Sequence, residues 1–116
     1  MQYIHTYVSF DPMTRVMSQT TRFFFITLDR KYLSIDSVQR IDAFNRDSLT
    51  HDEVFVRFHS DRGGLVVSEF DHGFNELIAA LKYIFSGIER WNDVTPVVPL
   101  TEATLLLWER AQAAAP

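Results

Sequence analysis

Short runs of Tyr, Phe, Val, Ile and Thr, separated by polar clusters, fill the chain up to about Phe70, which is the texture of half-buried strands. The pattern predicts strands over residues 3–10, 15–19, 22–28, 32–35, 38–44, 54–59 and 65–70. Val54, Val56 and Phe58 alternate with Phe55, Arg57 and His59, and Leu65, Val67 and Glu69 alternate with Val66, Ser68 and Phe70. One face of this pair therefore meets a core. Between the two runs, Ser60-Asp61-Arg62-Gly63-Gly64 supplies glycines able to take positive φ, which predicts a hairpin. The polar triplet Asp29, Arg30 and Lys31, set between two apolar runs, predicts a second one.

After Phe70 the period changes from two to about 3.6. Phe74, Leu77, Ile78, Leu81, Ile84 and Phe85 recur at helical spacing and predict one long amphipathic helix over 71–86, with Asp71 as N-cap and Gly87 as left-handed C-cap. Ile88, Trp91 and Val94 then tuck under the sheet, and Pro96 and Pro99 hold residues 95–100 extended. Thr101 caps a short second helix whose Leu105, Leu106, Leu107 and Trp108 form a strongly apolar turn. The fold class that follows is α+β: a bent antiparallel sheet closed by one long amphipathic helix, with a C-terminal extension over 88–110 ending in a short helix. Residues 1–110 make a single domain and 111–116 a frayed tail.

The succession YLSIDSVQRIDAF, then VFVRFHSDRGGLVVSEF, then FNELIAALKYIF resembles small bacterial members of the pleckstrin-homology-like superfamily. The resemblance spans roughly half of the chain, lies in pattern rather than signature residues, and implies a partial barrel closed by the helix. It also implies two kinds of partner: inositol phospholipid headgroups, held by Lys and Arg between the first two strands, or proteins and peptides. Here the loop after 22–28 holds only Arg30 and Lys31, next to Asp29, so these two are the candidate headgroup ligands and no polybasic clamp is visible. The 88–110 extension departs from the pattern, since such domains finish with their helix.

Composition narrows the functions further. A chain of 116 residues with 47% apolar and 22% charged residues has the make-up of one ordinary globular domain. The absence of cysteine excludes disulfides, thiol nucleophiles and zinc-finger sites. A formal charge of −4 argues against phosphate-dominated binding of nucleic acid or anionic lipid, while leaving room for a local basic patch. No apolar run approaches the roughly 18 residues of a spanning helix and no cationic leader precedes the first strand, so a cytoplasmic protein without membrane insertion is expected.

Candidate chemistry gathers at the predicted strand-to-helix junction, where Glu69, His72 and Glu76 offer an imidazole and two carboxylates to a divalent metal or to acid–base work. The plainer reading is that acidic groups there complement the helix dipole and that His72 is solvated. His5 and His59, both in predicted strands, are candidates for a facing pair, and Ser48, His51 and Asp52 hold the residue types of a hydrolase triad without a nucleophile elbow. Asp61-Arg62-Gly63-Gly64 leads into a strand and so is a turn, not a phosphate loop. Phe23, Phe24 and Phe25 are consecutive, so at least one points away from the core and is covered by the extension or by another subunit. Leu105, Leu106 and Trp108 are the candidate interface for such assembly. The expected function is a non-catalytic protein-interaction or regulatory module with no cofactor, whose partner is an unidentified protein or a second copy of the chain. A small-ligand or headgroup binder and a metal-dependent acid–base enzyme are the competing classes.

Overall fold

The computed structural model describes residues 4–47, 52–94 and 102–111. Three strands, β1 (Ile4–Asp11), β2 (Val16–Phe23) and β3 (Ile26–Ser34), form one antiparallel sheet in the order β1-β2-β3. Four others, β4 (Val38–Asp47), β5 (Asp52–Ser60), β6 (Leu65–Ser68) and β7 (Glu102–Glu109), form a second in the order β6-β5-β4-β7. One α-helix, α1 (Phe74–Leu81), and 3-10 turns at Ile35–Ser37 and Ile88–Asp93 complete the described elements.

The fold is therefore mainly β, which corrects the α+β expectation. The described strands close no barrel, and the long helix over 71–86 is an eight-residue α1. Its apolar stripe is as predicted, with Phe74, Leu77, Ile78 and Leu81 all buried. Beyond Leu81 the chain continues in turns, with the Ile84 and Phe85 amides both donating to the Leu81 carbonyl, and the left-handed Gly87 at φ 104° breaks the helical path so that Phe85 and Ile88 both enter the core. Asp71 is not its cap: Gly73 holds that position at φ 89°, and the Asp71 carboxylate accepts from the Ser68 amide at 2.9 Å.

The extension is corrected as well. The Leu105–Trp108 run is not a helical turn but part of β7, antiparallel to β4, with Ala43 opposite Leu105 and Ile41 opposite Trp108. The register shifts by one between Leu106 and Trp108, leaving Leu107 as an extra residue, so Leu107 and Trp108 both reach the core although they are consecutive. Leu107 is buried, Leu105 and Trp108 pack on the core, and Leu106 stays 50% exposed on the outer face. Residues 95–101, where the proline-held stretch and Thr101 cap were expected, lie outside the described residues, as does the tail from 112.

The core lies on the inner face of the second sheet, where Ile41, Ala43, Val56, Phe58 and Val67 meet α1, Ile88 and Val94. Trp91 packs edge-on against Phe74 with centroids 4.9 Å apart, and Trp108 does the same to Phe85 at 4.7 Å. Val8, Met17 and Leu33 anchor the base of the first sheet to this core. The Ser60–Gly64 hairpin forms as predicted, with Val54, Val56, Phe58, Leu65 and Val67 turned inward.

The second predicted hairpin moves. Asp29, Arg30 and Lys31 are not a loop but lie mid-strand in β3, and the chain reverses at Phe24-Phe25 instead. All residues from Arg22 to Tyr32 are exposed, so the distal half of this sheet projects as an arm from a molecule 56 × 39 × 23 Å across. A strand held in solvent is not selected for apolar alternation, which is why a polar triplet fits inside it.

Candidate functional site

The arm ends in a two-residue turn that follows directly from the β2–β3 pairing of Phe23 with Ile26. Such turns favour Gly or Asn, because a central residue must adopt positive φ. Here Phe24 takes that conformation, at φ 54°, and Phe25 beside it is 98% exposed. Phe23 and Phe24 meet edge to face at 4.7 Å, and Ile4, Ile26 and Leu28 lie exposed around them. Together these six residues expose about 700 Å², taking roughly 200 Å² for a fully exposed large side chain.

Register fixes which face carries this surface. Ile4 pairs with Phe23, and Phe23 with Ile26; two residues back along β2, Thr21 pairs with Asp29 and Gln19 with Lys31. Paired and i±2 residues share a face, so Asp29 and Lys31 sit on the same face as Ile4, Phe23 and Ile26, with the Lys31 ammonium 3.9 Å from the Asp29 carboxylate. Arg22 and Arg30 point to the opposite face. Between Thr21 and Arg22 the register shifts by one, leaving Leu28 as the extra residue of a bulge.

At the base of the arm a strap crosses β1. The His72 amide donates to the Thr6 carbonyl at 2.9 Å and the Val8 amide to the His72 carbonyl at 2.8 Å, a short parallel bridge onto the edge of β1. His72 stacks on Tyr7 with centroids 4.8 Å apart, and its Nε2 lies 3.3 Å from His5 Nδ1. Beside them is a polar pocket of about 240 Å³ lined by His5, Thr6, Glu53, Ser68, Asp71 and His72. The Ser68 hydroxyl donates to Glu53 and accepts from the Phe70 amide. Burial pushes the Asp71 carboxyl above its usual range, against the lowering pull of hydrogen bonds from Ser68 and Gln19.

That shift gives a pH-dependent prediction. A carboxyl whose folded pKa is raised binds more protons in the native state, so stability falls as pH rises from the unfolded value of 3.8 through the folded one. Asp71→Asn removes this contribution. In urea unfolding, the difference between variant and wild type should move in the variant's favour as pH rises through that window, and a pH-independent difference would contradict the burial of Asp71.

On the outer face of the second sheet, Asp42 is only 5% exposed. It accepts from Arg57 Nε at 3.0 Å and pairs with His59 Nε2 at 2.9 Å, while Arg40 stands 3.9 Å away. Arg57 lies 4.7 Å over the Phe44 ring, which stacks on Phe55 at 5.0 Å, and Arg46 covers both rings. These guanidinium–aromatic layers cover the sheet and satisfy one another.

The residues singled out from sequence fall as follows. His72 meets His5, whereas His59 belongs to Asp42, so the expected His5–His59 pair does not form. Glu69 uses its carboxylate to accept from the Val54 amide at 2.7 Å, and Glu76 is exposed in the first turn of α1. Among the described residues no group of three or more His, Asp or Glu is placed to hold a metal ion. Arg30 and Lys31, adjacent in β3, point to opposite faces and form no single clamp. Ser48 and His51 lie outside the described residues. Among the described residues no helix is long and apolar enough to cross a membrane. What the sequence reading missed is the Phe24-Phe25 turn and the buried Asp42; a three-aromatic run next to a strand of polar residues was the available signal for the first. No family model, curated protein or solved structure matches the chain.

Proposed function

We propose that the protein is a non-catalytic interaction module that binds its partner through the β2–β3 arm. The observation that carries this reading is the conformation of Phe24, a bulky aromatic residue in left-handed backbone at a turn where glycine costs nothing. Strain of this kind is retained where it displays a side chain that function uses. Around it, the phenylalanines are held out at the end of a three-stranded sheet, whose backbone hydrogen bonds limit the entropy lost when they are buried by a partner.

Phe24→Gly tests the reading, because stability and binding are expected to move in opposite directions. Relief of the left-handed strain should raise the unfolding free energy by about 1–2 kcal/mol, reduced by the entropy glycine adds to the unfolded chain. Association, followed by sedimentation and by binding of an apolar dye to the tip, should weaken. A variant that is less stable than wild type would place Phe24 in the fold itself and end this proposal.

A further inference from the structure

We propose that the occupant of the arm is a second copy of this chain, packed face to face about a two-fold axis over the apolar tip. The inference rests on the interaction-arm reading and names its partner. The six apolar residues of the tip together expose about 700 Å², so a contact that covers them all approaches the roughly 800 Å² that each partner contributes to a standard interface. A two-fold contact must be self-complementary, and the flank of this patch is: Asp29 and Lys31 lie two residues apart on the patch face, so the axis sets Asp29 of one copy against the partner's Lys31 and the reverse. Arg22 and Arg30, which would repel their symmetry mates, are on the other face. The β3 edge does not offer the alternative of open-ended strand addition. Its register is broken by the bulge at Leu28, and it carries three consecutive charges, both devices that block edge pairing.

Charge reversal tests this directly, since Asp29 and Lys31 are exposed and neither supports the core. By sedimentation velocity across the micromolar range, the wild-type chain should be a dimer. Asp29→Lys and Lys31→Asp should each weaken the dimer by at least about tenfold, because each sets like charges opposite each other twice. Mixing the two variants in equal amounts should restore a dimer, since one copy then presents two cations and the other two anions. A dimer indifferent to both reversals overturns the proposed face. A wild-type monomer overturns the second-copy assignment, and hydroxyl-radical footprinting of that monomer then separates the two claims. Phe24 and Phe25 oxidised readily would leave the arm reading standing; both protected would end it too. A monomer that sediments with phosphatidylserine vesicles would assign the arm to an anionic surface and overturn the dimer.

Discussion

Gly73→Ala is expected to lower the unfolding free energy by about 3 kcal/mol or more, a large share of the stability of a domain this size. The residue sits at φ 89°, where any side chain costs roughly 1–2 kcal/mol. A Cβ there would also meet the Val8 carbonyl oxygen far inside contact distance, and that atom is strand backbone, so it cannot swing aside as a side chain would. Relief requires β1 and the strap to separate, breaking the His72–Thr6 and Val8–His72 hydrogen bonds, each worth about 0.5–1.5 kcal/mol. Gly63→Ala is the control. It shares the backbone problem, at φ 100°, but nothing lies within 4 Å of its Cβ, so only the conformational part of the loss should appear. Chemical denaturation of the two variants separates strain from collision, and equal losses would show that the strap does not press on β1.

Phe58→Ala is expected to cost about 3–5 kcal/mol, the range for removing a fully buried aromatic ring. Phe58 is wholly inaccessible on β5, a strand paired on both sides, opposite Ile41 of β4 and Leu65 of β6. The cavity would open in the middle of the sheet, where hydrogen-bonded neighbours on both edges limit collapse. Phe25→Ala, the same change of side chain at the arm tip, should alter stability by less than about 0.5 kcal/mol. The pair of measurements marks the boundary between the residues that hold the fold and those it displays. A Phe58 loss below about 1 kcal/mol would mean that the inner face of the second sheet is wrongly placed.

The sequence was most legible where a segment is buried on one face. Val54, Val56 and Phe58 were legible as one face of their strand, and Leu65 and Val67 as one face of theirs, because a one-residue slip would exchange the buried set for the exposed one; which face is inward comes from the structure. The stripe of Phe74, Leu77, Ile78 and Leu81 was legible for the same reason. Where alternation is broken or burial is absent, periodicity says nothing. Leu105, Leu107 and Trp108 all reach the core because the β7 register shifts against β4 between Leu106 and Trp108, and a local window cannot tell that from a helical turn. In the arm, Asp29 to Lys31 sits in a strand that answers to solvent on both sides, so its polarity predicts a turn that does not form. Of the candidate site, the phenylalanine run was visible as an excess of apolar residues, but its placement at a turn depended on the β2–β3 register. Asp42 was invisible, because its burial comes from Arg57, His59 and Arg40 on neighbouring strand positions.

The pairing of β7 with β4 bears on how the protein is made. β4 is complete at Asp47, and the strand that covers its free edge begins at Glu102. At ribosomal speeds of about 5–20 residues per second, that interval leaves the β4 edge unpaired for roughly 3–11 s. During that time Ile41 and Ala43 lack the cover of Leu105, Leu107 and Trp108, and the nascent chain presents an unpaired strand edge beside uncovered core residues. Co-translational crowding is thus a hazard for this topology, and slower synthesis over the segment before Glu102 should increase the yield of aggregate.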